Sequence, residues 1–302
     1  LTAKEFVILG EKYNPFNEEL LFELAFCYEH TEEGEKAITT YERIIKLNAY
    51  SAEAWFNLGQ IFFMREQLTQ ALEAYEYARV IQPEDTLTCM QKAHVHFQLQ
   101  HYTEALEEYI EYQEMTGKNW QTNYFIGECH ERMGNCTEAL KYYFEAIKDN
   151  QENFDILAGI AVCLIDGELY EESLPYIDRA LILNEKSPEA WVYMADAQLG
   201  LNNIDQALSA YLISIKLDED QPDTLMAIAN ILMEQGEYTY ALGYYKQALI
   251  KDEHQELENI YLFIAVAHHF LGETEASQEA LEFAMHENLD ALKLFNELCY
   301  GK

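Results

Sequence analysis

Basic residues are scarce in this chain. Its 302 residues hold 19 Lys and Arg against 54 Asp and Glu, a formal net charge of −35. A field of that sign repels phosphate backbones, and no local basic stripe interrupts it, so nucleic acid is not an expected partner. Two readings of the excess carboxylate stand side by side: it keeps a long surface soluble, or it selects basic partners. Proline and glycine are also few, five and thirteen, which suits helices better than a turn-rich β-sandwich. The six cysteines (27, 89, 129, 136, 163 and 299) form no C-x-x-C pair and no disulfide-framework spacing. They read as buried free thiols, which favours a reducing compartment and a cytoplasmic setting.

Long apolar runs are missing too. The most apolar stretch, ILAGIAVCLI at 156–165, is about half the length of a membrane span and reads as a buried helix face, so no membrane insertion is expected. The opening LTAKEFVILGEK lacks a basic region followed by an apolar one, so no signal peptide is predicted. Recognisable catalytic signatures are absent as well: no glycine-rich phosphate loop, no H-E-x-x-H and no nucleophile elbow. His94 and His96 are two apart, so on a helix they diverge, as do His268 and His269. His96, His130 and His268 share a column that is otherwise apolar or aromatic, and they read as packing residues. Carboxylate pairs such as Glu128 and Glu131 read as solvated surface. The chain is therefore expected to be no enzyme and to need no cofactor or metal.

What the chain does have is a repeat. QALEAYEYARVIQPED at 70–85 returns as QALSAYLISIKLDED at 206–220, and 206 − 70 = 136 is four steps of 34. Anchoring on the small residue gives Ala3, Ala37, Ala71, Ala105, Ala139, Ser173, Ala207 and Ala241, with Ser277 after a longer step through KDEHQELEN. Four residues on lies a bulky column: Tyr41, Tyr75, Tyr109, Tyr143, Ile177, Tyr211, Tyr245 and Leu281. Upstream, a second helical pattern carries Leu24, Leu58, Ile126, Ile160, Met194, Ile228 and Ile264. A small residue follows each, as at Ala25, Gly59, Ala93, Gly127, Ala161, Ala195, Ala229 and Ala265. Spacings of three and four place these columns on one helix face, so each unit is two antiparallel helices that bury their stripes only by stacking. Thr69, Thr103, Thr137, Asp205 and Thr239 stand two residues before the anchors and are expected to cap the second helices. Lys92 in an aliphatic column threatens the packing of the third unit, and Pro175 should remove one hydrogen bond and bend its helix.

The period of 34 and the set Trp55, Leu58, Gly59, Ala71, Tyr75, Ala78 and Pro83, with its partial copies, resemble the tetratricopeptide repeat family. The resemblance implies an all-α, right-handed α-solenoid, or superhelix, over residues 1–302. It would open with the second helix of a partial repeat (1–17). Repeats would follow near 18–51, 52–85, 86–119, 120–153, 154–187, 188–221, 222–257 and 258–290, with a capping helix at 291–302. It also implies a scaffold for protein–protein interaction whose first helices line a concave groove.

The inward columns of those first helices are the candidate binding site: Phe22, Phe26, Phe56, Asn57, Gln60, Phe63, Met90, His94, Phe97, Tyr124, Phe125, Glu128, Tyr193, Asp196, Met226, Asn230 and Met233. Aromatic and methionine side chains of this kind mark binding surfaces. The same columns hold carboxylates such as Glu19, Glu23, Glu53, Asp155 and Glu189, with Arg132 the lone cation. Asn57 matches one asparagine of the carboxylate clamp in chaperone-binding members of the family, but the lysines of that clamp have no counterpart. The expected partner is a protein or peptide with basic and apolar residues. The alternative is a structural module that self-associates into a homo-oligomer or forms part of a larger protein.

Overall fold

A computed structural model describes residues 3–31, 33–252 and 259–301. Among these residues there are eighteen helices and no strand. The chain divides into two compact units, Leu1–Gln151 and Glu152–Lys302.

The first unit holds α1 (Ala3–Tyr13), α2 (Glu18–Glu29), α3 (Gly34–Leu47), α4 (Ala52–Met64), α5 (Leu68–Ile81), α6 (Thr86–Gln98), α7 (Tyr102–Thr116), α8 (Trp120–Arg132) and α9 (Cys136–Asp149). The second holds α10 (Phe154–Asp166), α11 (Tyr170–Leu183), α12 (Pro188–Gly200), α13 (Ile204–Leu217), α14 (Pro222–Glu234), α15 (Tyr238–Lys251), α16 (Ile260–Phe270), α17 (Thr274–Glu287) and α18 (Ala291–Tyr300). Within each unit every helix packs on the next in sequence, most closely inside the pairs α2–α3 to α8–α9 and α10–α11 to α16–α17. No helix among the described residues is long and apolar enough to cross a membrane.

The columns explain the packing. The anchors Ala37, Ala71, Ala105, Ala139, Ser173, Ala207 and Ala241 have no exposed surface, and the bulky residues from Tyr41 to Tyr245 are buried with them. A small residue is needed where the two helices of a pair touch. A Cβ built on Gly59 would stand 2.7 Å from the Tyr75 ring, and one on Gly127 2.8 Å from Tyr143. The side chain of the Ala3 anchor and most of the lengthened turn at KDEHQELEN lie outside the described residues.

The turns inside the pairs correct one expectation. Thr69, Thr103, Thr137, Asp205 and Thr239 do not cap: each is the second residue of a helix that begins one position earlier. The actual caps, Gln67, His101, Asn135, Asn203 and Glu237, make no side-chain capping bond. The physical reason is the turn itself. A left-handed residue ends the first helix, and the next amide bonds back to the carbonyl five residues earlier, as Gln67 N does to Phe62 O at 2.9 Å. That same residue is already the cap of the following helix, so little space separates the two. The left-handed residue recurs at Glu66, Gln100, Gly134, Glu168, Asn202, Gly236 and Gly272. Side-chain capping is found instead at the first helices, by Asn17, Asp85, Asn119, Asn153 and Ser187.

Two irregular residues are accommodated. The Lys92 ammonium lies 2.8 Å from Glu108 across α6 and α7, with both side chains largely shielded. The misplaced cation is thus paired, as burial requires. Pro175 is exposed, and α11 continues through it from Tyr170 to Leu183.

Candidate functional site

Of the seventeen inward-column residues, Phe26 is exposed and the others are half-buried. Each side chain therefore divides its surface between the helix pair and solvent. The aromatic members lean on the bulky column: Phe22 on Tyr41 with ring centroids 6.0 Å apart, Phe56 on Tyr75 at 5.7 Å, Tyr124 on Tyr143 at 6.0 Å. Phe125 stacks on Tyr109 at 5.1 Å and meets His94 edge-on at 4.8 Å, joining two inward-column members to a bulky-column tyrosine. Phe97 packs against Tyr102, Phe26 against His30, and Phe63 against the core around Tyr75 and Val95. In the second unit Tyr193 packs by Ala161 and Ile177, and Met226 and Met233 by Leu225 and Tyr245. Gln60 and Met90 complete the stripe in the first unit.

The polar members are restrained from below. The buried tyrosines reach across their own pair to a side chain fifteen or twelve residues earlier. Tyr109 pairs with His94 Nδ1 at 2.6 Å, Tyr211 donates to Asp196, and Tyr245 donates to Asn230 at 2.6 Å, each fifteen back. Tyr41 donates to Glu29 and Tyr143 to Glu131, both at 2.6 Å and twelve back. Where the bulky residue is Ile177, both corresponding positions are apolar, Val162 and Ile165. The hydroxyl and its acceptor thus occur together along the chain, because a buried hydroxyl without a partner is costly. Tyr75 is the exception: its hydroxyl is buried without a hydrogen-bond partner.

This arrangement tunes the charges. Burial raises the pKa of Asp196 and of Glu131 above the usual carboxylate range, against the opposing pull of their tyrosine hydrogen bonds. Burial lowers the pKa of His94, which favours the neutral ring. Glu128, one turn from Tyr124, adds to the negative field felt by Tyr109 and Cys129. Glu19, Glu23, Glu53, Asp155 and Glu189 are exposed. The tyrosine-acceptor spacing was present in the sequence as polar residues fifteen or twelve positions before each bulky-column tyrosine.

The histidines separate as their spacing requires. His94 turns to Tyr109, whereas buried His96 lies with its ring 5.9 Å from His101. His268 pairs with Glu273, while its neighbour His269 meets Phe295 and Tyr300. Cys89, Glu108 and Glu111 stand close enough to share a metal ion. Their chemistry fits a structural network better: Glu108 is paired with Lys92 and Glu111 with Arg79. Burial, helped by Glu108, pushes the Cys89 thiol up to about 12, so it keeps its proton.

Comparison with known proteins places these features in a family. A sequence profile described as tetratricopeptide repeat matches residues 14–254. The photosystem I assembly protein Ycf3 of Cyanophora paradoxa is 32% identical over 111 residues, 35% of this chain and 63% of that protein. Among solved structures, a chain of the APC/C hetero-tetramer Cut9–Hcn1 superposes with a TM-score of 0.63 at 15% identity. That match covers 87% of this chain and 52% of the other. YrrB, a TPR protein with an unusual peptide-binding site, gives a TM-score of 0.52 at 18% identity, covering 62% of this chain and 96% of its own. At these identities the two structures show the fold alone. The chain spans less than two thirds of the length of Ycf3 and of the Cut9–Hcn1 chain.

Proposed function

The chain belongs to the tetratricopeptide repeat family, and from that premise we propose that it is a non-catalytic scaffold whose inward columns bind a polypeptide segment carrying Lys or Arg beside large apolar residues. Members of the family bind protein or peptide partners, and the fold suits a scaffold for such contacts. One observation carries the finer reading: half-buried aromatic and methionine side chains alternate with carboxylates along the first helices, with almost no cation among them. The peptide-binding site of YrrB and the assembly of Cut9 with Hcn1 are consistent with it. No disulfide links cysteines among the described residues, which agrees with a reducing, cytoplasmic setting.

Apolar contact supplies most of the affinity, about 1.5–3 kcal/mol for each side chain fully buried by the partner. The carboxylates chiefly raise the association rate and select against acidic competitors, an effect that salt screens. Reversing charge at Asp196 would disturb its bond to Tyr211, so the exposed pair Glu23 and Glu53 is the better probe. The test is a peptide array pairing basic–apolar with acidic–apolar sequences, followed by binding kinetics at several salt concentrations. Glu23→Lys with Glu53→Lys should slow association and flatten its salt dependence, while Phe56→Ala should speed dissociation by about tenfold, as loss of an anchor does. Salt-independent association, or preference for the acidic peptides, would sink the reading.

A further inference from the structure

The outward side of the second helices holds a second, different surface. From α3 to α17, the residues five and six positions after the anchor form pairs such as Glu42–Arg43, Ile110–Glu111 and Lys246–Gln247, each with a charged member. The exception is α13, where the pair is Leu212 and Ile213. Both are 37% exposed, and Ile250 on α15 is 78% exposed. Between these two helices lies a groove of about 380 Å³ lined by Leu212, Ile215, Lys216, Leu225, Tyr244 and Ile250.

Two cations edge this groove, in a chain that has few. Lys216 and Lys251, two of only nineteen Lys and Arg, stand at its edge beside one carboxylate, Glu219. Lys216 has no ion-pair or hydrogen-bond partner among the described residues. Lys251 pairs with the exposed Asp220 at 3.6 Å. An apolar floor with the Lys216 ammonium unpartnered at the rim calls for an occupant that is apolar with a carboxylate. A second copy of the chain is a poor candidate, because two molecules of net charge −35 repel each other. The apolar residues from Leu212 to Leu217, interrupted by Ser214 and Lys216, span about 7 Å along α13, one to two turns of a matching helix.

We propose that the groove between α13 and α15 docks an amphipathic helix from another protein, with two apolar residues one turn apart in the groove and a carboxylate on Lys216. This surface is independent of the inward columns. It is tested by fluorescence anisotropy on the full chain with two labelled synthetic helices of about twenty-five residues, well beyond the length at which isolated helices are marginal. One carries Leu on one face with flanking Glu, and the other is identical except for Lys in place of Glu. The Glu helix should bind saturably, and Leu212→Ser or Ile250→Ser should each weaken it by about tenfold, the scale of one lost apolar anchor. Lys216→Glu should weaken the Glu helix, whereas Tyr193→Ala should leave it unchanged; binding of the Lys helix belongs to the inward columns and should be weakened by Tyr193→Ala and not by Leu212→Ser. Unaltered far-ultraviolet circular dichroism identifies folded variants, with Leu212→Ala or Ile250→Ala as the milder replacement for either that fails. Binding of the Glu helix that is insensitive to Lys216→Glu or to Leu212→Ser, or no saturable binding of it, would overturn the proposal. So would a dimer in sedimentation that Leu212→Ser dissociates, since the occupant is then a second copy.

Discussion

The pairs α4–α5 and α12–α13 are written in the same columns and solve one problem differently. Both place a tryptophan whose indole N–H donates six residues upstream, Trp55 to Ala49 O at 3.1 Å and Trp191 to Glu185 O at 2.9 Å. Both bury a tyrosine against a small residue. In α12–α13 the Tyr211 hydroxyl ends on Asp196, which directly follows Ala195. In α4–α5 the equivalent residue, Gln60, does not meet the Tyr75 hydroxyl, and the position one turn further on is Phe63. Tyr143, whose pair also has a glycine at the small column, finds Glu131 at that further position. The repeat thus fixes the ring, whereas the hydroxyl depends on a single local choice. The turns differ too: the left-handed residue is Asn202 in one pair and Glu66 in the other.

The largest expected difference comes from removing the acceptor. Asp196→Ala strands a buried hydroxyl and should lower stability by about 1–3 kcal/mol, while Gln60→Ala should change it by less than about 0.5 kcal/mol. Tyr211→Phe should be destabilising and Tyr75→Phe neutral or stabilising, since the latter removes an unpartnered group. Urea unfolding of the four variants, followed by circular dichroism, makes the comparison. Unfolding of a repeat array need not be two-state, so midpoints of matched variants are compared. Equal losses at Asp196 and Gln60 would break the contrast.

The turns give a smaller effect. A left-handed backbone costs a residue with a Cβ roughly 1–2 kcal/mol, less for asparagine, whose short polar side chain bonds locally. Glu66, at φ 59°, carries that strain, whereas Asn202 at φ 60° carries less of it. Glu66→Gly should therefore raise the unfolding midpoint, with a gain of about 1 kcal/mol, and Asn202→Glu should lower it by a similar amount. A Glu66→Gly variant no more stable than the parent would show that the glutamate side chain earns its place through contacts.

These contrasts mark what the sequence made legible. The period of 34 placed the anchor, small and bulky columns, because burial in a stacked array imposes a side-chain size at each. It also held the tyrosine-acceptor pairs, readable as Asp196 before Tyr211 and Asn230 before Tyr245, or as Val162 before Ile177. The turns were not legible, because Glu66, Gln100 and Glu168 do not announce a left-handed residue as Gly134 does. That hid the shared cap and made Thr69 look like one. Lys92 was misleading because its partner, Glu108, lies on the following helix and no column rule pairs them. Which side chains of the inward columns turn to a partner and which stay within the pair depends on such local pairing, as at His94 and Asp196.

The smallest and most specific test concerns charge at Asp196. Burial raises its pKa above the ordinary aspartate value, with the Tyr211 hydrogen bond acting in the opposite direction. The folded chain therefore holds this proton more tightly than the unfolded chain does. Its contribution to stability is fully present below the unfolded pKa and is lost as pH rises through the folded one, so at neutral pH the buried charge is a cost. Asparagine keeps the acceptor without the charge, as Asn230 does for Tyr245 at 2.6 Å. Asp196→Asn should accordingly raise the unfolding midpoint at pH 7, and its advantage should shrink as pH falls from neutral to about 4. His94, His96 and His130, whose pKa values burial lowers, pull the other way on acidification in both proteins, and the difference cancels them. Gln60→Glu, which places a carboxylate at the matching position of α4, should show no comparable pH dependence unless the new acid engages Tyr75. An advantage of Asp196→Asn that grows toward acid would mean that the Tyr211 bond, rather than burial, governs the site.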